Sequence, residues 1–231
     1  MPPVCNASGI PLRIVPPAPR RGGSAARYEA RIFLEGALAV RPRDWHDYFN
    51  VLAWLAFPRA KAALNARHHA ELGRPHAAGS RNRGPAQDAL TLLDEGGVIV
   101  AASDDDLLGL LREWRWKELF WKRRADIAGR MRFLVLGHAI YEKALRPFLG
   151  ITGRGPLFKV GTDLLSAPLA EQVAALDALA ASWISDPERL QRTRDLEVVP
   201  ILGVPGWHPD NDREAFYDNT DYFRPARQRT W

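Results

Sequence analysis

The sequence predicts an α+β fold: a helical layer packed on a small, mostly antiparallel sheet and closed by an irregular C-terminal wrap. Three observations carry this expectation. Several segments repeat apolar residues at helical spacing behind good capping residues, and a few short apolar runs bounded by glycine read as strands. From residue 196 onward, proline, glycine and aspartate are too frequent for regular elements. The 231 residues suffice for one core, so a Pro/Arg-rich arm over 1–26 and a single globular domain over 27–231 are expected.

The elements follow in chain order. "YEARIFLEGAL" reads as a short helix, broken by Arg41-Pro42-Arg43. Asp44 is a good N-cap for a helix running to about Phe57, and Pro58 stops it while opening the next helix, "PRAKAALNARHHAEL". Gly73 and Pro75 end that helix in a loop of small and basic residues reaching residue 87. "DALTLLDEGGVIVAA" places apolar residues on both sides of Asp94-Glu95-Gly96-Gly97 and predicts a β-hairpin over 88–102. Ser103 then caps a helix whose first turn holds three aspartates, which complement the helix dipole and need no metal to explain them.

In "WKELFWKRRAD" the spacing of Trp116, Leu119 and Phe120, with Arg123 on the flank, predicts a core-facing stripe with a solvated basic back. "MRFLVLG" reads as a buried strand, "HAIYEKALRPF" as a helix closed by Pro147, and "PLFKVG" as a further short strand. "SAPLAEQVAALDALAASWI" predicts an amphipathic helix with Leu169, Val173, Leu176, Leu179 and Trp183 along its apolar line. The tail is expected to wrap the body as a coil anchored by Trp207, Phe216, Tyr217, Tyr222 and Phe223.

Composition narrows the function classes. With 46% hydrophobic and 26% charged residues the chain reads as soluble and globular, and no apolar run reaches the roughly 18 to 20 residues of a membrane span. The start lacks the basic and apolar regions of a secretory signal, and the single cysteine, Cys5, allows no internal disulfide; a cytoplasmic protein is expected. The triplet Asn6-Ala7-Ser8 then reads as a chance match to the glycosylation pattern. A net charge of +5 favours acidic partners or nucleic acid. Only five of the 32 basic residues are lysines, however, and no clustered basic face with interleaved aromatics is evident, so nucleic-acid binding is weakly supported.

The candidate site comes from three helices that each carry polar groups on a side meant to be packed. His46 and Asn50 stack above Ala53, Trp54 and Phe57; Asn65 and His68 sit between Leu64 and Leu72; His138, Tyr141, Glu142 and Leu145 follow at i, i+3, i+4 and i+7. A buried imidazole, amide or carboxylate needs a partner. The expectation is that His46, Asn50, Asn65, His68, His138 and Glu142 find one another in one polar cluster. Each member also has an ordinary structural reading, and Asp44 and Asp47 have sufficient capping roles.

Two chemistries fit such a cluster. His46, His138 and Glu142 can hold a divalent metal with a position open for water. Without metal, His138 held by Glu142 can act as general base while the asparagines position a polar substrate. No nucleophile elbow, phosphate loop or activated cysteine is present, which argues against covalent serine or cysteine catalysis.

The segments "DWHDYFNVLAWLAFPRAKAALNARHHAE", "DALTLLDEGGVIVAA", "GHAIYEKALRPFLGIT" and "PILGVPGWHPDN…FYDN…YFRPAR" give the chain a specific resemblance to the bacterial family catalogued as domain of unknown function 3025, over about Arg27 to Arg227. The resemblance brings no activity with it. It implies that "WHDYFN", "LNARHH", the turn at Asp94-Glu95, "GHAIYE" and "LGVPGW" are defining segments, and it adds Trp207 and Arg224 as candidate pocket walls. The expected function is a hydrolytic enzyme, metal-assisted or not, acting on a small-molecule or polymer substrate. The alternative is a non-enzymatic binding or scaffold protein in which the cluster is a structural network and the basic surface meets an acidic partner or nucleic acid.

Overall fold

A computed structural model describes residues 3–17, 25–73 and 84–225. The chain is α+β. Strand β1 (Arg13–Val15) pairs in parallel with β2 (Ala37–Ala39), on either side of helix α1 (Ala25–Glu35). Residues before α1 are tied down by Asn6, whose buried Nδ2 donates to Ile32 O and Phe33 O, both at 2.8 Å. The amide of the would-be glycosylation triplet is therefore committed inside the fold.

Helices α2 (Trp45–Ala56) and α3 (Pro58–Leu72) lie where the sequence places them. Asp44 caps α2 by accepting from Asp47 N at 3.0 Å, and Asp47 in turn holds Arg41 through a two-pronged carboxylate–guanidinium pair. Both aspartates of "DWHDYFN" are thus structural. Helix α3 has Phe57 at its cap, whose side chain can accept nothing, and takes a side-chain acceptor from elsewhere: Asp177 receives Arg59 N at 3.0 Å and Ala60 N at 2.8 Å.

The expected hairpin over 88–102 is not formed. Its first half is helix α4 (Pro85–Gly96) and its second half is strand β3 (Val98–Ala102). Ala86, Ala89, Leu90 and Leu93 are all buried, and their i, i+3, i+4, i+7 spacing is a helical stripe that outweighs the Asp94–Gly97 turn signal. Most of the preceding loop, 74–83, lies outside the described residues. Helix α5 (Asp105–Arg112) starts one residue later than expected: Asp104, not Ser103, accepts from Asp106 N at 3.0 Å.

Trp116, Leu119 and Phe120 are buried as their spacing predicts, Trp116 just before and the other two on a π-helical turn at Glu118–Lys122 that leads into α6 (Arg124–Arg130). Strand β4 (Met131–Val135) and helix α7 (His138–Ala144) follow, the latter ending before Pro147. Strands β5 (Thr152–Gly155) and β6 (Leu157–Lys159) precede helices α8 (Thr162–Ser166) and α9 (Leu169–Ser185). The expected apolar line of α9 is rotated: Leu169 and Leu179 are 63% and 40% exposed, while Gln172, Leu176, Asp177, Ala180 and Ile184 are buried. Gln172 and Asp177 face inward because Arg132 and the α3 amides supply their partners.

The tail contains one strand that was not expected, β7 (Glu197–Pro200), antiparallel to β5. Beyond it the coil is fixed by polar side chains that answer its backbone. Asn211, fully buried, donates to Leu202 O and Val204 O, and the Tyr222 hydroxyl donates to Ile151 O at 2.6 Å. Phe216, Tyr217, Tyr222 and Phe223 anchor it as expected; Trp207 stays 39% exposed.

Strand β3 is the centre of the molecule, antiparallel to β4 and parallel to β6. It is buried on both faces, which is why it reads as an unbroken apolar run. Val98, Val100 and Ala102 face a core built from α5, the π-helical turn and the tail; Ile99 and Ala101 face another built from α3, α4 and α9. The site described next lies where α2, α3, α4 and α7 meet beside this sheet.

Candidate functional site

The junction of β4 and α7 is pinned to the end of α4. Leu136 N and Gly137 N both donate to Gly97 O at 2.9 Å, and a Cβ on residue 137 would stand 2.2 Å from Gly97 N, so only glycine fits. This close approach sets His138, the first residue of α7, against the last turn of α4. The carbonyl of Asp94 there has no partner within its own helix, and His138 Nδ1 donates to it at 2.8 Å.

Helix α2 packs on α7 through matching faces. Phe49 stacks on Tyr141 at 5.7 Å between centroids, and one turn earlier His46 meets both His138 and Glu142. His46 Nε2 lies 2.9 Å from His138 Nε2, and His46 Nδ1 lies 3.0 Å from Glu142 Oε2. His138 is buried, whereas the side chains of His46 and Glu142 are 34% and 46% exposed.

Hydrogen positions follow from this network. A carbonyl can only accept, so His138 carries its hydrogen on Nδ1. Burial pushes the His138 imidazole down to about 4, with the Lys61 ammonium and His46 acting in the same direction against Asp94, so at neutral pH the ring is uncharged and its Nε2 is a lone pair. That lone pair can only accept, which fixes a hydrogen on His46 Nε2. The one position this leaves open is His46 Nδ1, which lies against Glu142 Oε2.

Inward, Asp94 forms an ion pair with Lys61, an almost wholly buried lysine lying 5.6 Å over the Trp54 ring. Burial alone would raise the Asp94 carboxyl; the Lys61 charge and hydrogen bond hold it below the usual range, helped by His138 only at a pH low enough to protonate that ring. Glu142, His46, His138, Asp94 and Lys61 form one continuous line from surface to interior.

Next to Lys61 and Asp94 is a second polar region, lined by Tyr28, Asn50, Asn65 and His68 around a space of about 10 Å³, room for one water molecule. Asn50 Nδ2 donates to the Tyr28 hydroxyl at 2.8 Å; Asn65 Nδ2 donates to the Glu29 carbonyl at 2.9 Å and to Glu29 Oε2 at 2.7 Å. The amide oxygens of Asn50 and Asn65 have no partner among the described residues. Burial, reinforced by Glu29, raises Tyr28 far above a free phenol, so its hydroxyl stays protonated.

The six residues singled out from the sequence therefore divide in two. His46 touches both His138 and Glu142, and the Asp94 carbonyl rather than Glu142 holds His138; Asn50, Asn65 and His68 line the small cavity, and Lys61 with Asp94 joins the two groups. Sequence reasoning missed Lys61, Asp94, Tyr28 and Glu29 as members. Lys61 left a signal, a lone lysine inside the otherwise apolar run Ala60 to Leu64.

As a metal centre, the trio of His46, His138 and Glu142 faces a geometric difficulty. Glu142 and His138 approach opposite nitrogens of the His46 ring, so the three groups do not converge on one point, and no three His, Cys, Asp or Glu groups among the described residues are placed to hold an ion. Arg224 is not a wall of this site; its carbonyl accepts from Trp116 Nε1 at 2.8 Å. Trp207 lines a separate apolar groove with Phe57, Ile140 and Tyr141.

The exposed end of the line opens on a groove of about 470 Å³ lined by Trp45, Glu142, Lys143, Leu145, Arg146 and Phe148. Fold and site together define an α+β protein in which a file of imidazoles links an open groove to a buried ion pair. The chain belongs to the family described as protein of unknown function (DUF3025), whose model matches residues 12–227. No curated protein and no solved structure matches it. Among the described residues no helix is long and apolar enough to cross a membrane.

Proposed function

We propose that the groove at Glu142 is the active site of a hydrolytic enzyme working by general acid–base catalysis. The observation that carries this reading is the file His138–His46–Glu142, buried at one end and open to the groove at the other. His138 is the positioning residue: its lone pair holds the His46 hydrogen on Nε2, leaving Nδ1 and the Glu142 carboxylate as the atoms that gain and lose a proton. With no hydrogen on Nδ1, the Glu142 carboxylate faces a lone pair and is a base toward water in the groove. Having taken a proton from that water, the pair holds an acid for the leaving group. Trp45, Phe148, Lys143 and Arg146 would seat a substrate that has an apolar part and a negative charge.

The test is a panel of chromogenic carboxylic and phosphoric esters, assayed with the wild type, Glu142→Gln and His46→Asn. A hydrolysed substrate should lose at least about 100-fold in kcat with either substitution. His138→Gln, whose carbonyl can still accept from His46, should retain more activity than His138→Leu and a pH profile closer to that of the wild type. Activity should survive dialysis against a chelator; loss on chelation with recovery on adding zinc would instead support a divalent metal at His46, His138 and Glu142. Unchanged turnover in Glu142→Gln would remove the acid–base reading.

A further inference from the structure

On the far side of the core, the end of α5, the start of β6 and the segment after α9 enclose a concavity of about 580 Å³. That volume falls within the range of small-molecule sites. Four arginines line it, Arg112, Arg189, Arg192 and Arg194, together with the half-buried indole of Trp183. Arg189 has a loose pair with Asp186 at 3.5 Å; Arg112, Arg192 and Arg194 form no ion pair among the described residues.

The segment presenting these arginines is held from both sides. From α3, Arg67 Nη1 donates to Ile184 O at 2.7 Å and to Asp186 O at 2.9 Å, and its Nη2 donates to Arg189 O at 3.3 Å. From the other side Asp195 Oδ2 accepts Gln191 N at 2.8 Å and Arg192 N at 2.9 Å. Between them Leu190 is fully buried with φ at +51°, a left-handed conformation that is strained for a leucine and persists only where the surroundings impose it. The backbone is thus fixed while the guanidinium groups of Arg112, Arg192 and Arg194 have no carboxylate partner among the described residues, the arrangement that lowers the ordering cost of anion binding.

We propose that this concavity binds a nucleoside phosphate, the arginines holding the phosphate oxygens and the half-buried Trp183 and Leu157 forming the apolar seat for the base. Of the acidic residues on the wall, Asp195 is occupied by backbone amides and Glu197 is already engaged, which leaves Glu188 at the rim as an acceptor for a ribose hydroxyl. A single strand of nucleic acid fits less well, because such sites track the chain with successive aromatic platforms and here Trp183 is the one aromatic on the wall.

Calorimetric titration of the full chain with ATP, inorganic triphosphate and a short oligothymidylate tests this. Saturable ATP binding is expected, tighter than triphosphate, weakened about tenfold or more in Arg192→Glu/Arg194→Glu and unchanged in Lys143→Glu/Arg146→Glu, which alters the other groove. Should the double variant fail to fold by circular dichroism, Arg112→Glu on α5 asks the same question from a different element. No saturable ATP binding, triphosphate binding as tightly as ATP, insensitivity to the arginine substitutions, or an oligonucleotide bound more tightly than ATP through the same arginines would each overturn the assignment. Because the readout is binding and the control lies in the Glu142 groove, the outcome is independent of any hydrolytic activity.

Discussion

The imidazole file and the asparagine cavity start from the same device, polar side chains on the packed face of a helix, and end differently. His46 and Glu142 leave a third or more of their side chains to solvent, while Asn50 and Asn65 are 7% and 2% exposed. The cause is position along the helices. His46 sits in the first turn of α2, where α7 passes over it and a groove remains; Asn50 lies one turn deeper, under Tyr28 of α1. One turn of helix separates a group that can exchange protons from one that can only hold the fold together. Lys61 and Asp94 belong to both regions, and substitutions there should have the largest effects.

Lys61→Met should cost about 3–5 kcal/mol, because it leaves the Asp94 carboxylate buried without its counter-charge. Urea unfolding measures it, and adding Asp94→Asn should recover much of the loss. Equal damage in single and double variants would show that Lys61 acts through packing alone.

The next effect is in pH. His138 is held near 4 in the fold against 6.5 unfolded, so between those values the unfolded chain binds a proton that the folded chain does not. Stability should therefore fall as pH drops from 6.5 and level off near 4, by about 3 kcal/mol from this group. In His138→Gln that part of the slope should vanish; an unchanged slope would mean His138 is not held neutral.

Asn65→Ala should lose about 1–3 kcal/mol through its two bonds to Glu29, with turnover at the groove little affected. Smallest in stability is Glu142→Gln, within about 0.5 kcal/mol because the pair is exposed, although it should abolish turnover. If Glu142→Gln destabilised as much as Asn65→Ala, the line drawn between working and structural groups would fall.

What the sequence made legible was local. Asp44 before α2, Pro58 at the start of α3 and Gly137 ahead of His138 act on neighbours, and their elements appeared where expected. Contacts across the chain were not legible. Helix α4 was hidden by a turn sequence because the stripe Ala86, Ala89, Leu90, Leu93 is satisfied only by strands and helices far away. Strand β7 was hidden by its proline-rich surroundings, and the face of α9 was misplaced because Asp177 and Gln172 have distant partners that make burial tolerable. The same holds at the site: the three histidine and glutamate members were found by spacing, while Asp94 was read as turn chemistry, since its partners Lys61 and His138 are 33 and 44 residues away.

Asp177 carries one more consequence. The amides at the start of α3 receive their acceptor from a residue about 118 positions later in the chain. Until α9 is made, the first turn of the helix bearing Lys61, Asn65 and His68 has only water to answer those two amides. On the proposed acid–base reading, a truncation that removes α9 should therefore weaken turnover at Glu142 without removing any residue of the imidazole file.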